Sequence, residues 1–177
     1  MNHKSPKHFR LMAIAPSTRG FGFAVLDGEE TLVDWGVKSV KGDKNAGSLA
    51  KAEKLIAHYL PDAIVLEDHS DEQSRRAARI KRLSRDIIGV ATTRKVKVKL
   101  FTRAQVRNLF FADGLGTKEA LAEIIAKRFP EELGDRLPPK RRPWMSEDCR
   151  MDLFAAVALA LVPGLRKAKR TARQNSK

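Results

Sequence analysis

The order of two hydrophobic periodicities along the chain constrains its fold more than any other feature. Three short apolar segments, 9–15, 20–26 and 31–40, follow one another with only short polar turns between them. Two further strand-like segments, 63–66 and 96–101, alternate with helical patterns. Strands joined by short turns pair antiparallel, whereas strands joined through a helix pair in parallel. The order β-β-β-α-β-α-β-α-α-α therefore predicts an α/β fold. We expect a mixed five-stranded sheet, a three-strand antiparallel meander plus parallel strands, with helices on both faces.

The predicted helices are marked by apolar residues at spacings of three and four and by capping signals. They span 46–60, 73–93, 103–111, 117–128 and 146–161. Thr117 and Ser146 are the expected N-caps of the last two helices. We expect Pro163 and Gly164 to end the final helix. The segment 130–143, rich in Pro, Lys and Arg, is expected to be a loop.

The size and composition fit one domain with short tails. Of the 177 residues, 9–164 are expected to form the domain, between a disordered basic lead at 1–8 and a disordered basic tail at 165–177. Cys149 is the only cysteine, so neither an intrachain disulfide nor a cysteine-based zinc site is expected. The start of the chain lacks an apolar signal-peptide core, and no apolar run reaches the roughly 20 residues of a membrane span. We therefore expect a cytoplasmic protein.

The charge balance indicates a polyanionic partner. The chain has 35 Lys and Arg residues and 21 Asp and Glu residues, which gives a formal net charge of +14. Nucleic acid is the favoured partner, because cations that neutralise phosphates release condensed counterions. A solvated basic surface is the alternative. The candidate nucleic-acid-binding residues are Arg19, Arg75, Arg76, Arg79, Arg82, Lys118, Lys140, Arg141 and Arg142. Trp35 and Trp144 are weaker candidates for stacking on bases, since packing in the core or as a lid is the commoner role.

Five segments carry a more specific signal. They read LMAIAPSTRGFGFAV from Leu11, IVLE from Ile64, FTRAQVR from Phe101, TKEAL from Thr117 and DLFAAVALAL from Asp152. In this order, over most of residues 9–162, they resemble the RuvC-like Holliday-junction resolvases of the RNase H-like superfamily. The resemblance implies a crossover junction endodeoxyribonuclease that acts in DNA recombination and repair. It also implies a Mg²⁺ or Mn²⁺ cofactor, branched or junction DNA as substrate, and a homodimer.

Carried over residue by residue, the family's four acidic positions fall on Ala15, Glu67, Asp152 and Ala155. The resemblance thus implies that Glu67 and Asp152 are catalytic residues and metal ligands, and that two carboxylates are missing. A two-metal site uses converging carboxylates to offset the charge of two dications. A methyl group offers a cation no ligand, so we expect weakened metal binding and impaired catalysis.

Three explanations of the two alanines are open. They are natural, they are engineered, or a nearby carboxylate substitutes for them. Asp148 is the candidate substitute ligand, because it lies four residues before Asp152 and so on the same helical face. It equally suits compensation of the helix dipole. His69, after the predicted strand 63–66, is a weak candidate for a general base and is expected to be exposed.

The sequence therefore predicts a junction-binding protein of the Mg²⁺-dependent endonuclease lineage with impaired catalysis. Two alternatives remain: a nucleic-acid-binding protein that never cuts, and a basic RNA or ribosome assembly factor on the same fold. The helix 73–93 is the candidate dimer element, although its basic first half departs from an apolar interface. Two-fold symmetry of a dimer would match the symmetry of a junction.

Overall fold

A computed structural model describes residues 9–70 and 77–175. Its five strands form one sheet in the order β3-β2-β1-β4-β5. The strands are β1 Arg10–Pro16, β2 Gly20–Asp27, β3 Thr31–Ser39, β4 Ala63–Glu67 and β5 Lys97–Phe101. Strand β2 pairs antiparallel with β1 and with β3, whereas β4 pairs in parallel with β1 and with β5. The predicted mixed five-stranded sheet is confirmed.

Helices connect and cover the strands. They are α1 Lys44–Tyr59, α2 Ala78–Thr93, α3 Arg103–Phe110, α4 Lys118–Arg128, the short α5 Pro130–Leu133 and α6 Arg150–Asn175, with a 3-10 turn at Gly134–Arg136. Thr117 caps α4 as predicted, since its hydroxyl accepts a hydrogen bond of 3.1 Å from the Ala120 amide. Thr102 forms a capping box with Gln105 at the start of α3. Within the described ranges, no helix is both long and apolar enough to cross a membrane.

The sheet separates two apolar layers because successive strand residues point to opposite faces. On β1, Leu11, Ala13 and Ala15 belong to the cluster that includes residues of α3, α4 and α6. Met12 and Ile14 belong to the other cluster, with residues of α1 and α2. The α6 face is the one that carries Ala15, so the residues of interest lie between this face and α6.

A glycine on β2 lets α6 approach the sheet closely. A Cβ atom at Gly22 would lie 1.9 Å from the carbonyl oxygen of Asp152, which no side chain tolerates. Gly22 pairs with Ala15 across β1 and β2. The first turn of α6 therefore lies directly over the end of β1, where it brings Asp152 close to Ala15.

The predicted ends of the last helix are wrong. It begins at Arg150 rather than at Ser146, because the Asp148 carboxylate accepts a hydrogen bond of 2.9 Å from the Arg150 amide and caps the helix there. It also continues past Pro163, although a proline inside a helix lacks the backbone donor and its ring crowds the carbonyl of the preceding turn.

The segment expected to be a disordered tail is therefore helical as far as Asn175. The residues after Gly164 are mostly Lys, Arg and Ala, which favour helix. Lys167 bonds to the Glu29 carboxylate at 2.8 Å, and Lys169 donates to the Asn108 carbonyl at 3.1 Å. These two contacts hold the extension against the body of the domain. The predicted lead at 1–8 lies outside the described residues.

Candidate functional site

The ends of β1 and β4 bring two of the four family positions together. The strands are parallel, and Ala13 pairs with Val65. Two residues further along each strand, Ala15 and Glu67 lie side by side on the same face. On α6, Asp152 and Ala155 are three residues apart and share a helical face. All four line one cleft of about 320 Å³.

Cations surround this cleft. Four basic residues are among those that line it: Arg19, Arg103, Arg107 and Lys118. The first residues of α3 and α4 and the segment 146–149 before α6 also form its walls. Helix N-termini carry partial positive charge and unpaired amides, so the cleft attracts anions.

The Glu67 carboxylate lies beside the side chain of Arg103. The Glu67 side chain is 19% exposed, and its Oε1 lies 3.6 Å from Nε of Arg103 and 3.9 Å from Nδ1 of His69. The His69 side chain is only 7% exposed, so the expectation of an exposed histidine is wrong. The turn after β4 folds this imidazole back beside Glu67.

Asp152 is a half-buried carboxyl group. Burial raises its pKa, and the hydrogen bond with Ser17 partly opposes that shift. The nearby Glu147 carboxylate raises the pKa further, whereas Lys118 and Arg19 lower it. Burial of this side chain thus outweighs the nearby cations and disfavours the ionised form of Asp152 that a metal ligand needs.

This shift predicts how stability depends on pH. A raised pKa in the folded state means that ionised Asp152 destabilises the fold, and the penalty grows as pH rises from about 4, the usual pKa of Asp, through the raised value. We expect Asp152→Asn to be more stable than the parent at pH 7 and equal to it below about pH 3.8. Urea unfolding across this range measures the difference, with Asp135→Asn on the surface as the control. A difference that does not change with pH would contradict the assignment.

Asp148, the candidate substitute ligand, is bonded to Arg150 in this structure. Its carboxylate accepts from the Arg150 amide, from Nε at 3.0 Å and from Nη2 at 2.8 Å. The hydrogen bonds from the Arg150 side chain and amide lower its pKa to about 2. Glu147 is held in the same way, since Lys118 Nζ lies 2.6 Å and 2.8 Å from its two carboxylate oxygens.

The donor set does not fit a pair of divalent cations. Among the residues that the structure describes, no three His, Cys, Asp or Glu side chains are grouped so that they could hold a metal ion. Glu67 and Asp152 line the cleft, but Glu67 lies beside Arg103 and ionised Asp152 is disfavoured by burial. The expected ligand set of Glu67, Asp152 and Asp148 is therefore not assembled, and no hydrolytic step through a metal follows from this geometry.

Comparisons with known proteins identify the architecture. No protein-family model matches the sequence, and no curated protein matches it significantly. The Thermus thermophilus RuvC structure matches with a TM-score of 0.65 at 18% identity, over 92% of this chain and 97% of that one. The chain has the RuvC fold. T. thermophilus RuvC in complex with a Holliday junction substrate matches with a TM-score of 0.64 at 18% identity, over 92% and 96% of the two chains.

A second resolvase has the same architecture. The yeast mitochondrial Holliday junction resolvase Ydc2 matches with a TM-score of 0.58 at 13% identity, over 96% of this chain and 88% of that one. The RuvC fold therefore spans nearly the whole chain. At these identities the likeness establishes the fold, and the chemistry of the cleft must be argued from its own residues.

The predicted basic residues have different environments on the RuvC fold. Arg19 and Lys118 line the cleft, and the three basic residues at 140–142 are exposed on the loop before α6. Arg82 is exposed on α2. Arg79 instead donates to the Ser17 carbonyl at 2.9 Å and to the Asn45 side chain at 3.1 Å, so it braces the β1–β2 loop. Arg75 and Arg76 lie outside the described residues.

Sequence reasoning missed Arg103 and Arg107 as members of the site. Both belong to α3, which starts directly after β5. Because β5 is parallel to β4 and Glu67 pairs with Phe101, α3 begins beside Glu67. The predicted order of parallel strands could have indicated this neighbour, since the carboxyl ends of adjacent parallel strands meet at one edge of the sheet.

Proposed function

We propose that this chain binds branched DNA in the cleft at the ends of β1 and β4 and does not cleave it efficiently. The observation that carries the proposal is that the cleft lacks two carboxylates and is lined by basic side chains. Alanine occupies two positions where the resolvase family has carboxylates, and Arg103 lies against Glu67, one of the two that remain. A metal-dependent nuclease needs carboxylates there, whereas a phosphate-binding protein needs cations.

DNA is favoured over other anions by the fold and by the extent of the charge. T. thermophilus RuvC, whose fold this chain shares, has been solved in complex with a Holliday junction substrate. In this chain, the exposed basic residues 140–142 precede, in the same loop, the segment 146–149 that lines the cleft, and they add positive charge to this part of the surface. A surface of this kind suits a long phosphate backbone that continues beyond the cleft itself.

A homodimer is part of the proposal, because two copies related by a two-fold axis match the symmetry of a four-way junction. The expected dimer element, α2, exposes Arg82, Arg85, Gly89 and Thr92. The described part of α2 has no large hydrophobic side chain exposed. Because the two arginines would repel their counterparts on a second copy, we expect the two copies to assemble on DNA rather than before it.

Fluorescence anisotropy with three ligands tests the proposal: a labelled four-way junction, a duplex of equal length and a structured RNA, all at one salt concentration and in EDTA. We expect the junction to bind more than about tenfold tighter than the duplex or the RNA, equivalent to 1.4 kcal/mol. We also expect two chains per junction and no nicked product when Mg²⁺ or Mn²⁺ is added. Equal affinities would refute the preference for junctions, and tighter binding of RNA would refute the assignment to DNA. Metal-dependent nicking would refute the impaired cleavage.

A further inference from the structure

One aromatic side chain beside the cleft faces solvent without a packing role. Trp144 is 77% exposed, although tryptophan is usually among the most buried side chains by area. Its neighbour Met145 is 45% exposed. Trp35, by contrast, is partly buried and packs against the α6-side core. The expectation that Trp144 packs in the core is therefore wrong, and its exposure requires another explanation.

A tight turn, residues 142–145, presents this side chain. The amide of Met145 donates to the Arg142 carbonyl at 3.0 Å, which closes the turn. Pro143 occupies the second position, where its fixed backbone angle favours such a turn. Arg141 Nε donates to the Met145 carbonyl at 2.6 Å and braces the same segment. Trp144 is thus held at the tip of a preorganised turn.

The turn is fixed to the wall of the cleft. Ser146 and Glu147 follow it directly, and both line the cleft. Glu147 is held from two sides, by its ion pair with Lys118 and by a hydrogen bond of 3.1 Å from Arg19 to its carbonyl oxygen. Three residues of extended chain span about 10 Å at most, so the backbone of Trp144 lies within about that distance of Glu147 in the wall of the cleft.

The surroundings of the indole match the chemistry of a nucleotide. The Arg142 guanidinium lies 5.7 Å from the centre of the Trp144 ring, and Lys140 and Arg141 precede it in the same exposed loop. A planar ring stacks on a base, while the neighbouring cations hold the phosphates on either side. An acidic peptide would use the cations but would leave the face of the ring without a flat partner.

We propose that Trp144 stacks on an unpaired or unstacked base at the branch point of DNA held in the cleft. Bases inside a continuous duplex present no free face, whereas a branch point does. The residue therefore determines the preference for branched over continuous DNA. This inference rests on the proposed function, because it needs DNA in the neighbouring cleft.

Two measurements test the stacking: the fluorescence of Trp144 and the affinity of the chain for junction and duplex DNA. The chain has two tryptophans, so Trp35→Phe leaves Trp144 as the only reporter. We expect a four-way junction to quench its emission more than a saturating duplex does. In the same background, Trp144→Ala should weaken junction binding about five- to 150-fold, the range expected for one lost stacking contact, and leave duplex binding within a factor of two. Trp144→Phe should retain most of the affinity.

Arg142→Gln is the matched control in the same turn, since it removes a charge and keeps the ring. It should weaken junction and duplex binding by the same factor and reduce the salt slope by about one. If Trp144→Ala weakens both ligands equally, or neither, the stacking proposal is overturned while junction binding by the parent still supports the proposed function. Self-association in the absence of DNA that depends on Trp144 would instead identify a second copy as the occupant. If the parent binds neither DNA, the proposed function itself fails.

Discussion

The double variant Ala15→Asp, Ala155→Asp is expected to acquire Mn²⁺-dependent nicking of four-way junctions. We expect a gain well above the 10- to 100-fold effects that residues merely supporting metal ligands produce, because these two positions would be ligands themselves. Gel analysis of a labelled junction, with Mn²⁺ and with EDTA, measures the product. Calorimetric titration of Mn²⁺ into the free variant provides an independent measure.

The geometry of the cleft supports this expectation. An aspartate at 15 would project beside Glu67 from the neighbouring strand, and one at 155 would lie one helical turn from Asp152. Together they would place four carboxylates in one cleft, which is the arrangement a two-metal site requires. The basic residues that already line the cleft offset part of the added repulsion when no metal is bound.

The variant Ala15→Asn, Ala155→Asn is the matched control, since it has nearly the same shape without the charge. It should bind Mn²⁺ no better than the parent and should not nick DNA. If the aspartate variant folds and binds Mn²⁺ but still fails to cut, loss of these two ligands does not explain the inactivity. If the parent cuts as fast as the aspartate variant, the proposed impairment is wrong.

The sheet could be predicted because its signals are local. The strand segments are apolar or alternating, and the lengths of their connections decide which pairs are antiparallel. The position of Ala15 beside Glu67 then follows from the parallel pairing of β1 and β4. The role of Gly22 could not be predicted, because it depends on the approach of α6, which is a tertiary contact.

The end of α6 could not be predicted because distant residues stabilise it. Pro163 and Gly164 are strong local stop signals, so the local sequence predicts that the helix ends there. The contacts of Lys167 with Glu29 and of Lys169 with Asn108 join residues 138 and 61 positions apart. Contacts over such separations leave no periodic trace in the sequence.

The members of the site were predicted in part. Glu67 and Asp152 do line the cleft with both alanines. The sequence does not show whether the Asp148 carboxylate binds a metal ion or a neighbouring side chain. In the structure, Arg150, two residues away, donates three hydrogen bonds to it. Arg103 was missed because a basic residue in a basic chain carries little information until its neighbour is known. Its distance of 3.6 Å from Glu67 supplies that information.

The second large effect is expected from removing cleft cations. The variant Arg103→Gln, Arg107→Gln, Lys118→Gln lacks three of the basic side chains that line the cleft. Each neutralised phosphate contributes about 0.9 to the slope of log affinity against log salt, so we expect the slope to fall by about 3 and junction affinity to fall roughly a hundredfold near 0.15 M salt. Glutamine keeps a hydrogen-bonding group opposite Glu67 and Glu147, which limits damage to the fold.

A control with the same change of net charge separates the cleft from the general basic surface. Arg94, Lys95 and Lys97 are exposed near the start of β5, at the opposite end of that strand from Phe101 and the cleft. Their replacement by Gln should change the slope of log affinity against log salt by less than about 0.9, which is the contribution of a single phosphate contact. If both triple variants lose the same affinity, the chain attracts DNA through its total charge alone. A cleft that contributes no more than a distant surface is not a binding site, and the proposed function would then have to be abandoned.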